Sequence, residues 1–146
     1  MLIFFRRLQC RLSAENSRWK GAAKLYRVSP VTLVLAGGYA VVAIITNSSV
    51  ETLGLTEGSS AFAIIKASEV IVGKGVDGAK LSALNVLPGV VEKVLDGAVN
   101  SEVEIQLSGG GSVVASITRQ SVEALGLQKG DMVSAIIKAS NVMIGV

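Results

Sequence analysis

The chain repeats itself, and no other feature of it constrains the fold as strongly. At an offset of 72 residues, which carries Thr46 onto Thr118, the pattern Gly-Gly-x-x-Val-Val-Ala-x-Ile-Thr-x-x-Ser-Val-Glu-x-Leu-Gly-Leu runs from Gly37 to Leu55 and again from Gly109 to Leu127. The match continues through Gly58 and Gly130, through Ala-Ile-Ile-Lys-Ala-Ser at Ala63 to Ser68 and Ala135 to Ser140, and closes on Gly73 and Gly145. The openings match at a shorter offset of 69, with Leu12-Ser13-Ala14-Glu15-Asn16 answering Leu81-Ser82-Ala83-Leu84-Asn85. The first copy is therefore shorter, and its loss falls where the second has Asp96-Gly97-Ala98-Val99-Asn100. This divides the chain into an N-terminal extension (residues 1–9), a first module (10–73), a linker (74–79) and a second module (80–146). The extension is an additional strand, a partner-binding tail or a product of the start site, and sequence leaves these three open.

Within each copy the local pattern points to a mainly β fold. Val103 to Leu107 alternates apolar and polar residues, as a half-buried strand does. Gly37-Gly38 and Gly109 to Gly111 turn the chain into a second strand that ends at Thr46 or Thr118. A short helix is expected over Ser48–Leu53 and Gln120–Leu125, with Ser48 and Glu51 in capping-box spacing and Gly54 and Gly126 at the helix ends. A last strand follows, Ala61–Lys66 and Val133–Lys138. Half of the residues are hydrophobic but only 4% are aromatic, so the core must be aliphatic. Four or five strands with one helical turn predict small, partly open barrels of the oligonucleotide/oligosaccharide-binding type, in tandem. Domains of about 60 residues bury only about 60% of their surface. Shared or swapped strands in an oligomer are therefore expected.

Several functions are excluded at this level. Cys10 is the only cysteine and histidine is absent, which removes intrachain disulfides, Cys/His metal centres and Ser–His or Cys–His nucleophile pairs. No enzyme is expected. The net charge of +3 does not describe the fold as a whole: up to residue 27 seven basic residues face Glu15 alone, and the remainder is net negative. Nucleic-acid binding would rest on that basic end and is disfavoured. Val31–Thr46 reads almost like a membrane span, yet its repeat partner Val103–Thr118 is interleaved with polar residues, so no membrane is expected and the protein is placed in the cytoplasm. The apolar start, Met-Leu-Ile-Phe-Phe before two arginines, has the reverse order of a secretory signal.

Three clusters rich in hydrogen-bond donors occur in both copies: Leu-Ser-Ala-x-Asn, Thr-x-x-Ser and Lys-Ala-Ser. A tetrahedral dianion accepts hydrogen bonds and donates few or none, so hydroxyls, backbone N–H groups and one ammonium form a suitable cage. Each cluster alone has a plainer reading, as a helix cap or a solvated strand end, and duplication copies structure and function alike.

Taken together, the openings, the Thr-x-x-Ser-Val-Glu-x-Leu-Gly-Leu centres and the Lys-Ala-Ser endings resemble the molybdenum-pterin-binding (Mop) domain, or molbindin, of the wider TOBE group. The resemblance covers about residues 11–73 and 80–146. It implies a non-enzymatic, homo-oligomeric protein, a trimer or hexamer, that binds molybdate or tungstate at interfaces between modules for intracellular storage or homeostasis. Carried over by position, the oxyanion ligands it implies are Ser82, Thr118, Ser121, Lys138, Ala139 (backbone) and Ser140 in the second copy. In the first they are Ser13, Thr46, Ser49, Lys66, Ala67 (backbone) and Ser68. The resemblance fails at one position. The family's opening commonly carries an arginine where this chain has Glu15 and Leu84; a carboxylate there repels a dianion and a leucine removes attraction. Arg11, Lys80 or Arg119 could substitute. The second copy is expected to hold the better site, and the alternative is an oxyanion-sensing or purely oligomerising module whose sites have weakened or been lost.

Overall fold

The structure, a computed structural model, describes residues 1–12, 28–35, 37–76 and 80–146. It is mainly β. The first half supplies β1 (Leu2–Leu12), β2 (Val28–Val34), β3 (Ala40–Thr46), helix α1 (Asn47–Thr52), β4 (Ser60–Lys66), a 3-10 turn η1 (Ala67–Glu69) and β5 (Ile71–Gly73). The second half repeats the order with β6 (Asn85–Leu95), β7 (Asn100–Leu107), β8 (Ser112–Thr118), α2 (Arg119–Leu125), β9 (Met132–Ile137), η2 (Ala139–Asn141) and β10 (Val142–Gly145).

These strands make two five-stranded antiparallel sheets, ordered β10-β4-β1-β2-β3 and β5-β9-β6-β7-β8. The last strand of each copy thus belongs to the other copy's sheet. Beyond Lys66 and Lys138, where the last expected strand of each module ends, the chain makes one 3-10 turn and adds a short strand that crosses over. β10 pairs with β4, setting Val142 against Ile65 and Gly145 against Phe62. β5 pairs with β9, setting Ile71 against Ile136 and Gly73 against Ser134. Gly145 is required at its position because a Cβ would run into the Phe62 ring. The crossing strands cover a sheet edge that would otherwise expose unpaired backbone groups, and they join both halves into one aliphatic core that includes Val70, Val72 and Val142. Sequence places strand sharing between chains; the exchange in this structure is between the two copies of one chain.

Residues 1–9 do not stand apart from the first module. β1 runs across the expected boundary at Cys10 and fills the central position that β6 fills in the second sheet. The registers correspond: Cys10 faces Leu33 as Val91 faces Ile105, and Ile3 faces Ile65 as Asn85 faces Ile137. Alternation explains why this segment suits the slot. Ile3, Phe5, Leu8 and Cys10 are all buried, with a register shift between Phe5 and Leu8 keeping the apolar set inward. The motif that the repeat aligns with Leu81–Asn85 starts at Leu12, the last residue of this strand, and its remaining residues, Ser13 to Asn16, lie outside the described residues.

Both helices begin a little earlier than the pattern predicts. The N-caps are Thr46 and Thr118, each accepting the N–H three residues on, so the Ser48–Glu51 capping box is not the one used. Gly126 ends α2 in the left-handed conformation, whereas α1 ends on Leu53 in ordinary helical geometry before Gly54 turns left-handed. The two hairpin tips pack together, since a Cβ on Gly37 would overlap the Gly109 carbonyl and one on Gly109 would overlap the Tyr39 ring. Lys74, the first residue of the expected linker, is anchored: its ammonium donates to Asp131 Oδ2 at 2.9 Å and to the α2-terminal carbonyls of Leu125 and Gly126 at 3.3 Å.

Two consequences can be measured. Gly37→Ala should lower stability by about 1–3 kcal/mol through the backbone shift it forces at the paired tips, read as a fall in the urea midpoint. The Asp131 carboxyl is held below the ordinary carboxylate range, first by its hydrogen bond from Lys74 and then by the Gln128 N–H. A depressed carboxylate stabilises the fold above its unfolded pKa of about 3.9, and that contribution is lost as pH falls through the lower folded value. Asp131→Asn should therefore flatten the acid limb of the stability profile below about pH 4, checked by thermal unfolding across that range.

Candidate functional site

The Thr-x-x-Ser clusters sit where a strand passes into a helix, and the two copies agree closely. Thr46 Oγ1 accepts the Ser49 N–H at 3.1 Å and lies 2.7 Å from Ser49 Oγ. Thr118 Oγ1 accepts the Ser121 N–H at 3.1 Å and lies 2.7 Å from Ser121 Oγ. Two touching hydroxyls carry two hydrogens and use one between themselves, so each pair keeps one O–H for an outside acceptor. Thr46 and Thr118 are exposed and Ser49 and Ser121 half-buried. The strand ends are fixed by pairing, Val28 with Thr46 and Asn100 with Thr118. In the second copy the Arg119 N–H donates to the Val99 carbonyl at 2.9 Å.

The Lys-Ala-Ser clusters form the 3-10 turns at the crossing points. Lys66 and Lys138 are their N-caps, in extended conformation and exposed. Among the described residues neither of these exposed lysines enters an ion pair. Ala67 and Ala139 are buried while Ser68 and Ser140 are exposed, so each turn presents a lysine and a serine and tucks its alanine inward. Because the following strand crosses over, each turn lies against a strand of the other copy: η2 against β3, and η1 against β8. The two turns also meet each other, where Asn141 Nδ2 donates to Glu69 Oε2 at 2.7 Å. Glu69 and Asn141 are repeat equivalents.

The structure therefore brings the Lys-Ala-Ser turns of the two copies together. Among the described residues no hydrogen bond joins either turn to a Thr-x-x-Ser pair. Ser82 is exposed on the run leading into β6, and Ser13 lies outside the described residues. The copies differ at the alanine amide: the Ala67 N–H donates to the Met1 carbonyl at 3.0 Å, and no corresponding bond from Ala139 occurs among the described residues. Leu84, at the position of the family's arginine, is exposed. Arg119 makes an exposed ion pair with Glu123 at 3.0 Å; Arg11 and Lys80 are exposed. Among the described residues no group of three or more potential cation ligands occurs, and no helix is long and apolar enough to cross a membrane.

Asn85 belongs to the donor-rich opening motif but not to the ligands that the resemblance implies. It is almost fully buried, with its amide oxygen accepting the Val42 N–H at 2.7 Å and its amide nitrogen donating to the Val42 carbonyl at 2.8 Å. It lies in the opening motif, but nothing in its one-dimensional context reveals a partner 43 residues away.

A family model described as the TOBE domain matches residues 29–72 and 81–144. The molybdenum-pterin-binding protein MopA of Rhodobacter capsulatus is 41% identical over 114 residues, 78% of this chain and 43% of that protein. The molybdenum transport protein ModE of Herbaspirillum seropedicae is 37% identical over 145 residues, 97% of this chain and 54% of its own length. The chain spans about half the length of these curated relatives. A crystal structure of the cytoplasmic molybdate-binding protein ModG, with molybdate bound, matches at a TM-score of 0.82 and 32% identity, covering 100% of this chain and 95% of that one.

The cap geometry predicts that Thr118→Ala lowers stability by about 1 kcal/mol while Thr118→Ser preserves it, as urea titration of the two variants would show.

Proposed function

The chain belongs to the TOBE-domain family, and from that premise we propose that it binds molybdate or tungstate, without catalysis, for intracellular storage or homeostasis. The observation that supports this reading is the Lys-Ala-Ser turn, built twice and set each time against the other copy. Each turn carries an exposed lysine and an exposed serine, the second has no described acceptor for its alanine N–H, and a hydroxyl pair with one spare O–H stands at each helix entrance. All of these groups donate. Molybdate and tungstate are acceptors, so preorganised donors select them without any net positive field. Ser82, Thr118, Ser121, Lys138, Ala139 and Ser140 are the proposed ligands of the second copy, with Ser13, Thr46, Ser49, Lys66, Ala67 and Ser68 as their counterparts. Similarity to molybdenum-pterin-binding and molybdenum transport proteins supports the binding of a molybdenum species.

The homo-oligomer, trimer or hexamer, is part of the same proposal. Its support is the outer face of the second sheet, where Val90 and Met132 pair across strands and Ile71 lies beside Ile136, with Met132 77% and Ile71 63% exposed.

A second reading has a specific observation behind it. The Ala67 N–H already has an acceptor in Met1, which leaves the first copy one donor short. The first-copy site is then weak or lost, and that half of the chain serves assembly.

Isothermal titration with molybdate, tungstate, sulfate and phosphate tests the main reading. Saturable binding of molybdate and tungstate supports it, and no binding of any of the four at millimolar concentration would sink it. Lys138→Ala should weaken binding by about tenfold, the loss of one charge-assisted hydrogen bond. Leu84→Arg should strengthen it by a similar factor by restoring a cation next to the anion.

A further inference from the structure

We propose that Asn85 is a positioning residue for the anion site containing Lys138, Ala139 and Ser140; this rests on the oxyanion reading above. The argument starts from what the amide does. A carboxamide carries one acceptor and one donor in a plane, and Asn85 presents both to the N–H and C=O of a single residue, Val42, at 2.7 and 2.8 Å. This is the pairing that a neighbouring strand would make. β3 is the edge of its sheet, so the side chain from the second copy completes the edge of the first.

The backbone of the same residue reaches the site. Asn85 pairs with Ile137, and in an antiparallel pair the chain before one residue and after the other leaves the sheet at the same end. Ser82 to Leu84 and Lys138 to Ser140 are those two exits. η2 then packs on β3, the strand that Asn85 grips, and Asn141 tethers the far side of η2 to Glu69. The Lys138 turn is thus held between two side-chain amides.

Among the described residues the other copy has no such clamp. Ile3 occupies the register position of Asn85, facing Ile65 as Asn85 faces Ile137, and an isoleucine side chain neither donates nor accepts. A small tetrahedral anion rewards donors held within a fraction of an ångström, and donors ordered only on binding cost affinity. The Lys138 turn therefore has a positioning amide on the strand beside it that the Lys66 turn lacks among the described residues.

The test compares molybdate affinity, by calorimetry on the full chain, in Asn85→Ala, Asn85→Asp and the core-cavity variant Leu8→Ala, at a temperature where circular dichroism shows each fully folded. Asn85→Ala should bind about tenfold more weakly, the usual scale for losing a residue that orients a ligand. Asn85→Asp, which keeps the acceptor and loses the donor, should fall between it and the wild type. Leu8 is buried on β1 opposite Ala61 of β4, and β1 is not a neighbour of β3, so Leu8→Ala weakens the core away from Val42 and should retain wild-type affinity. Equal affinity in Asn85→Ala and the wild type overturns the proposal, as does an equal loss in Leu8→Ala. Should Asn85→Ala not fold, hydrogen exchange on the wild-type protein decides: saturating molybdate should slow exchange at the Val42 amide, and an unchanged rate overturns the proposal. A wild-type chain that binds no oxyanion overturns the functional reading itself, an outcome distinct from binding that ignores Asn85.

Discussion

Each sheet is completed by a strand of three or four residues that comes from the other copy. Strands this short have little stability of their own. They hold because their inward side chains, Val72 on one side and Val142 on the other, enter a core already formed by four longer strands. The exchange covers the long β4 and β9 edges, leaving edge strands of only three or four residues, and joins the apolar surface of the two copies in one core. It also dictates where the chemistry lies. The Lys-Ala-Ser turns are the points at which the chain leaves one sheet for the other, so each is carried on one copy and packed on the other.

The duplication does not survive as an exact symmetry. The helix entrances are the same in both copies to within the precision of their hydrogen bonds. The central strands are not. β6 begins with a buried asparagine that grips β3, whereas β1 begins near Ile3 and contributes only apolar contact at that register. Glu69 and Asn141, equivalent in the repeat, have become the two halves of one hydrogen bond. Duplicated modules placed face to face can diverge in this way because each copy's residue meets its own counterpart.

Much of this was legible in one dimension. A repeat with unchanged flanks establishes two like units, alternation marks their strands, and Thr-x-x-Ser before an apolar run marks the helix entrances; the hydroxyl pairs lie where that spacing puts them. Errors arose where two segments compete for one place. Ser48–Glu51 has the spacing of a cap, but Thr46 lies at the true end of β3 and takes the role first. Leu12–Asn16 has the lettering of an opening, but Leu2–Leu12 supplies the alternating apolar face that the central slot requires.

The sequence by itself determined the number of units, their mainly β character, the aliphatic core and the set of donors available to an anion. These follow from periodicity and composition, which are properties of neighbours along the chain. Tertiary structure alone decided which copy completes which sheet, which segment fills the centre of the first one, and that Asn85 would close on Val42. Those outcomes depend on backbone groups far apart in sequence finding hydrogen-bond partners in the same place, and a buried amide or a sheet edge has no local signal that names its partner.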